Sequence, residues 1–203
     1  MSQLQAARSP AVPAKEKPAK KKGALRILSI ILDLILTAAL LIILITSFWF
    51  QLVRVDGTSM ENTLRDGEIL LVARKGDYQR GDVVICWYPK RTERTFHLSA
   101  ALTLTQHTVF VKRLVALPGD SVEIRQGQLY VNDAPVSNPA QMGSVPRDFE
   151  RRELGKDEYF VIGDNRRSSH DSRAHDVGPI AGYMLQGHVK KVLWPLNAVR
   201  NVE

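Results

Sequence analysis

Residues 27–50 decide most about the rest of this chain: Ile-Leu-Ser-Ile-Ile-Leu-Asp-Leu-Ile-Leu-Thr-Ala-Ala-Leu-Leu-Ile-Ile-Leu-Ile-Thr-Ser-Phe-Trp-Phe, with Asp33 as the single charge. As a helix rising 1.5 Å per residue, this stretch covers about 36 Å, enough to cross a hydrocarbon core of about 30 Å with some tilt. Asp33 lies near the start, where it reaches the interface or Arg26, and Phe48, Trp49 and Phe50 make an aromatic belt at the far end. A cleaved targeting segment also pairs basic residues with an apolar run. Here the run is too long, and Phe-Trp-Phe-Gln-Leu-Val-Arg offers no small-x-small cleavage site. The stretch reads as a membrane anchor.

The net charge of +7 invites a nucleic-acid reading until it is divided along the chain. Residues 1–26 hold seven Lys or Arg (Arg8, Lys15, Lys17, Lys20, Lys21, Lys22 and Arg26) against Glu16, so +6 belongs to this tail and +1 to everything after it. Nucleic-acid binding needs a basic face on the folded part, so no such partner is expected. The basic excess before the helix instead predicts a cytoplasmic N-terminus and an extracytoplasmic C-terminal domain, in a single pass of the plasma membrane. The tail itself, rich in Ala, Pro and Lys, is expected to be disordered. Cys86 has no partner for an internal disulfide, and its apolar run Val83-Val84-Ile85-Cys86-Trp87 suits a buried, inert thiol.

From residue 51 to 203 the pattern turns from helical to β. Apolar runs at Glu68–Arg74, Asp82–Tyr88, Thr108–Leu117, Ser121–Arg125, Gln128–Asn132, Glu158–Ile162 and His188–Leu193 alternate with Gly-Asp, Pro-Gly and Asn-Asp punctuation. The expected fold is mainly β: an antiparallel, barrel-like sheet domain following one N-terminal transmembrane helix. Residues 134–157, with Pro135, Pro139, Gly143, Pro146 and Gly155, read as a surface excursion.

Three groups of residues could carry chemistry. On a strand, Lys112 shares a face with Phe110, Leu114 and Ala116, while Arg113 points the other way. An amine on an apolar face loses solvation and has its pKa lowered, which suits a general base, although a lysine there can also snorkel to water. Ser59 follows Gly57-Thr58 in a non-periodic connection that exposes a hydroxyl and its backbone N–H groups, and it can be a nucleophile or an ordinary turn residue. His170-Asp171 and His175-Asp176, near Ser168, Ser169 and Ser172, offer a Ser–His–Asp or metal-binding alternative with no diagnostic spacing.

Three blocks in order then carry a resemblance. They are Ser59-Met60-Glu61-Asn62-Thr63-Leu64, Lys112-Arg113-Leu114-Val115-Ala116-Leu117-Pro118-Gly119-Asp120 and Gly163-Asp164-Asn165-Arg166-Arg167-Ser168-Ser169-His170-Asp171-Ser172-Arg173. In this order they resemble the bacterial type I signal peptidases of the short, single-anchor type, membrane-bound serine proteases with a Ser–Lys dyad. The resemblance implies Ser59 as nucleophile and Lys112 as general base. It also implies Ser169 as the serine bonded to the lysine amine, Asp171 with Arg173 as a structural ion pair, and Asp164 as further support. Arg80-Gly81-Asp82-Val83-Val84 resembles the family's cleft-lining strand block, so Asp82 and Val83, with Gly57, Ser59 and Met60, are expected around the oxyanion and substrate cleft. Met60 is also placed where it could dip into the outer leaflet.

Two departures matter. Asn62 stands where the family has proline, which is expected to loosen the turn after the nucleophile. Gly57 stands where some members have a serine that helps bind the oxyanion, leaving the Ser59 N–H and other donors to do so. The implied substrates are secreted preproteins, with membrane lipid as the other partner and neither cofactor nor metal. The competing reading is a non-catalytic membrane-anchored binding or assembly protein that inherited the fold; it predicts indifference to loss of Ser59 or Lys112.

Overall fold

Val83-Val84-Ile85-Cys86 is apolar without alternation because both of its faces are covered. Val83 and Ile85 pack with Met60, Leu64, Leu70, Val72, Val111 and Val189, whereas Val84 and Cys86 pack with Tyr88, Leu114, Val161, Ile180 and Leu185. Each such side chain removed from water contributes about 1.5–3 kcal/mol, so a central strand reads as a continuous apolar run.

The computed structural model describes residues 19–74, 76–88, 109–137 and 147–202. The elements in order are α1 (Ala19–Trp49), β1 (Phe50–Arg54), β2 (Ile69–Ala73), β3 (Val83–Trp87), β4 (Val109–Ala116), β5 (Ser121–Arg125), β6 (Gln128–Val131), β7 (Ala134–Pro135), β8 (Phe149–Glu153), β9 (Glu158–Ile162), β10 (Ile180–Ala181), β11 (Leu185–Trp194) and β12 (Arg200–Asn201). The chain divides into two compact units, Met1–Ile43 and Leu44–Glu203. In the first, residues 25–43 are exposed. The span Leu25–Trp49, 25 residues, is long and apolar enough to cross a membrane.

The second unit is mostly antiparallel sheet, curled into a half-barrel. Its larger sheet runs β1-β2-β11-β3-β4-β9-β10, with β12 on β11, and a smaller sheet runs β7-β6-β5-β8. The smaller sheet has its own core, in which Val122, Ile124, Leu129 and Val131 meet Val115, Ala116, Phe160 and Ile162 of β4 and β9. Two sequence blocks meet where β4 turns into β5. Arg80 Nε donates to Asp120 Oδ2 at 2.8 Å, and Asp120 also accepts from the Leu117 N–H (2.7 Å) and Asn132 Nδ2 (2.9 Å). Gly119, at φ +85°, makes the turn that brings this carboxylate round.

Several expectations are corrected. The helix starts at Ala19, inside the stretch expected to be a disordered tail, while residues 1–18 lie outside the described residues. Phe50, assigned to the membrane segment, opens β1 instead, and the Trp49 carbonyl already accepts the Arg74 N–H at 2.9 Å. Residues 134–157 are not only an excursion, since they include β7 and β8, and β8 pairs with β5. The sequence Phe149-Glu-Arg-Arg-Glu hides this strand because its four charged residues are all exposed. Ala116 does not share the face of Lys112: a β-bulge between Leu114 and Ala116 rephases β4 and turns Ala116 into the core of the smaller sheet.

Candidate active site

β4 places Lys112 on the face that also carries Phe110 and Leu114, opposite Val84 of β3. The side chain does not reach solvent; it is 2% exposed, beside Cys86 and over the Phe110 ring. Burial pushes its amine below the ordinary lysine range, and the positive charge of Arg173 pushes the same way, against Asp171. The same burial pushes the Cys86 thiol up to about 12, so it stays protonated and inert. Among the described residues Lys112 forms no salt bridge. Its hydrogen bond is to Ser59, with 2.7 Å between Nζ and Oγ.

Ser59 sits in the connection between β1 and β2, and backbone hydrogen bonds fix that connection from both ends. The Val55 N–H donates to the Glu68 carbonyl and the Gly67 N–H to the Val55 carbonyl, while the Gly57 N–H is bound to Asp66 Oδ1 at 2.8 Å. The Gly57 N–H is therefore spent on the turn, whereas the Ser59 N–H donates to nothing among the described residues. Beyond Ser59 the chain makes one tight turn, with the Thr63 and Leu64 N–H groups donating to the Met60 carbonyl. Asn62 lies in this turn at φ +80°, a conformation that a proline ring forbids. Asn62 therefore holds a left-handed conformation here that a proline at this position could not adopt.

The loop after β9 holds the dyad from the other side. The Asn165 N–H donates to the Ser59 carbonyl at 3.1 Å, and Asn165 Nδ2 to the Thr58 carbonyl at 3.1 Å, clamping the residues around the nucleophile. Gly163 makes the approach possible: a Cβ there would lie 2.5 Å from the Ser59 carbonyl oxygen and closer still to Ser169 Oγ. Ser169 Oγ donates to Asp171 Oδ2 at 2.6 Å, and it forms no hydrogen bond to Lys112 among the described residues. That differs from its expected role, and the competing carboxylate, two residues away, is the reason. Asp171 in turn is held by Arg173 Nε (2.7 Å), Arg173 Nη2 (2.8 Å) and the Gly163 N–H (3.0 Å). Burial raises this carboxyl, but the bonds and charge of Arg173 outweigh it, leaving the group below its ordinary range. Asp164, fully buried, binds the guanidinium of Arg113 in a fork (2.9 and 2.8 Å) and accepts from the Thr63 hydroxyl.

The other expected cleft residues fall elsewhere. Met60, at 1% exposed, and Val83 are side chains of the core below the dyad, so Met60 is turned away from any lipid. Asp82 accepts the Gln79 N–H at 2.8 Å in the turn before β3. His170 pairs with Asp176 on the surface at 2.9 Å, and no serine hydrogen-bonds to it or to His175 among the described residues. His97 and His107 lie outside the described residues. The clamp by Asn165 was not foreseen, and its only signal in the sequence is its place in the longest block. Nor was Arg200, which donates to the Thr63 carbonyl (2.6 Å) and to Glu68 Oε1 (2.8 Å), tying the end of the chain to the nucleophile's turn.

A family model described as "Signal peptidase, peptidase S26" matches residues 28–194. A signal peptidase I of Bacillus licheniformis is 34% identical over 183 residues, 83% of this chain and 90% of that protein. One of Bacillus amyloliquefaciens is 33% identical over 206 residues, covering 93% of this chain and 98% of the other. Signal peptidase I T of Bacillus subtilis (strain 168) is 34% identical over 83% of this chain and 86% of its own length.

Proposed function

Because the chain belongs to the signal peptidase family, peptidase S26, and is a serine endopeptidase that removes signal peptides, we propose that Ser59 is its nucleophile and Lys112 its general base. One observation carries this reading: a buried amine, depleted of solvation, lies 2.7 Å from a loop hydroxyl, with no carboxylate paired to it among the described residues. With the amine neutral, the hydroxyl donates to it, and the proton passes to Nζ as Oγ attacks the scissile carbonyl. The tetrahedral oxyanion forms beside the Ser59 N–H, and its collapse returns the proton to the leaving amine of the mature protein. Water then repeats the attack on the acyl ester, with the same amine taking its proton, and the signal peptide is released. Asn165 and Gly163 position the nucleophile, and Asp171 with Arg173 holds the loop on which they sit.

The substrates are preproteins, and the reading extends to those held in the same membrane as the enzyme, with the N-terminus of this chain cytoplasmic and residues 51–203 extracytoplasmic. The basic tail before an apolar span supports that orientation. β1, whose outer edge pairs with no strand among the described residues, leads directly into the Ser59 connection. An extended preprotein segment can add to such an edge. The test is cleavage of a purified preprotein by the detergent-solubilised full chain, Ser59→Ala and Lys112→Ala, with the folding of each checked. Only the unaltered chain should cut. Cleavage by folded Lys112→Ala at full rate would remove the base assignment.

A further inference from the structure

The loop that supports the dyad also lines a cavity of about 270 Å³ whose wall includes neither Ser59 nor Lys112. Arg147, Asp148, Arg166, Arg167, Asp171 and Arg173 all contribute to its wall. Arg166 is the unusual member. It is 1% exposed, and its Nε and Nη1 have no hydrogen-bond partner among the described residues. The two carboxylates that act on it electrostatically are already taken, Asp164 by Arg113 and Thr63, Asp171 by Arg173, Ser169 and the Gly163 N–H. Burial, reinforced by the charge of Arg173, pushes its guanidinium below the ordinary value.

A buried ion without a partner costs several kcal/mol, and a fold carries that cost where something else supplies the counter-charge. The local charge points the same way. Among the residues lining the cavity, Arg173 and Asp171 cancel, which leaves Arg147, Arg166 and Arg167 against Asp148, an excess of two positive charges. Guanidinium forks match the oxygens of a tetrahedral oxoanion in geometry as well as charge. We propose that this cavity is an anion site for a phosphate group, gripped by Arg166 from within and by Arg147 and Arg167 at its mouth. The ligand does not react there. Bound, it would fix Arg166, whose carbonyl accepts Arg173 Nη1 at 3.0 Å, and so steady the Arg173–Asp171 pair beneath Ser169. Either free phosphate or the phosphomonoester head of an anionic lipid has the required chemistry.

The test uses the full chain and reads thermal unfolding, since a ligand of the native state raises Tm with saturation. One arm titrates inorganic phosphate at constant ionic strength against chloride, in detergent. The other compares reconstitution in phosphatidylcholine vesicles with and without phosphatidic acid. Both arms are repeated on Arg147→Gln/Arg167→Gln, which alters exposed residues only and keeps the basic tail, so attraction of that tail to vesicles is common to both proteins. The expected result is a saturable rise in Tm in one arm, with apparent affinity at least ten-fold weaker in the double variant. Preprotein cleavage in phosphate-free detergent should be unchanged in that variant, which keeps this test separate from that of the dyad. A rise confined to the phosphatidic acid arm identifies a lipid head as the ligand; a rise with free phosphate identifies the ion. No saturable rise in either arm, or the same rise in both proteins, overturns the proposal.

Discussion

Lys112 and Arg113 are neighbours in sequence and opposites in electrostatic situation. Arg113 turns to one face of β4 and meets the buried carboxylate of Asp164 in a two-pronged bond; Lys112 turns to the other, where its hydrogen-bond partner among the described residues is a hydroxyl. One strand thus holds a cation forked onto a buried carboxylate and an amine that burial drives toward neutrality.

That difference has a consequence for stability. The unfolded chain holds Lys112 protonated up to about pH 10.4, whereas the folded chain disfavours the charged form, so the wild type bears a cost at every pH below that value. Lys112→Met should therefore be inactive yet melt at a higher temperature than wild type near pH 7. The advantage should shrink as pH rises towards 10.4. Melting curves across this range check the sign, and a variant less stable than wild type at pH 7 would mean that the amine is held charged.

Gly163→Ala should separate the dyad from its support. The added methyl meets both Ser169 Oγ and the Ser59 carbonyl at under 3 Å, and the carbonyl cannot yield without moving the nucleophile. A displacement of about 1 Å is enough for a roughly 10²-fold loss of kcat. Steady-state cleavage of a preprotein, with circular dichroism as the check on folding, measures it.

The turn after the nucleophile makes a prediction against the family pattern. Asn62→Pro, which restores the family's residue, should destabilise this chain by more than about 1 kcal/mol, because proline cannot adopt φ +80°. Asn62→Gly should be tolerated. Denaturant unfolding of the two variants decides it, and equal stabilities would show that the turn readily adopts the other hand.

Asp171→Ala leaves the Arg173 guanidinium without the carboxylate that holds it, and breaking such a buried pair typically costs about 3–5 kcal/mol. The carboxyl lies below its ordinary range, so its contribution is present above the unfolded value of about 3.9 and disappears as pH falls through the lower folded value. Wild type and Asp171→Ala should therefore converge in stability only at strongly acid pH.

The sheet domain was legible because it obeys local rules, whereas the pairing of Ser59 with Lys112 is implied by the resemblance of the three sequence blocks. Alternation along Phe110, Lys112 and Leu114 put the lysine on an apolar face, and runs such as Ser121–Arg125 and Glu158–Ile162 coincide with β5 and β9. What escaped depends on distant partners. β8 is a strand because β5 offers it an edge, and its own residues are almost all charged. The bulge after Leu114 leaves no mark in composition, and Asn165 reaches Thr58 across 107 positions of the chain. Phe50 carries the same apolar signal whether it ends a membrane helix or begins a strand; pairing with Ala73 decides it.

The central claim is that Lys112 works as a neutral base on Ser59. Its most direct test is the pH dependence of single-turnover preprotein cleavage by the wild-type enzyme from about pH 5 to 11, in which a base must show an acid limb. The rate should fall on the acid side, with an apparent pKa clearly below that of a free lysine. A flat profile, or an acid limb that persists unchanged in an active Lys112→Ala enzyme, would contradict it.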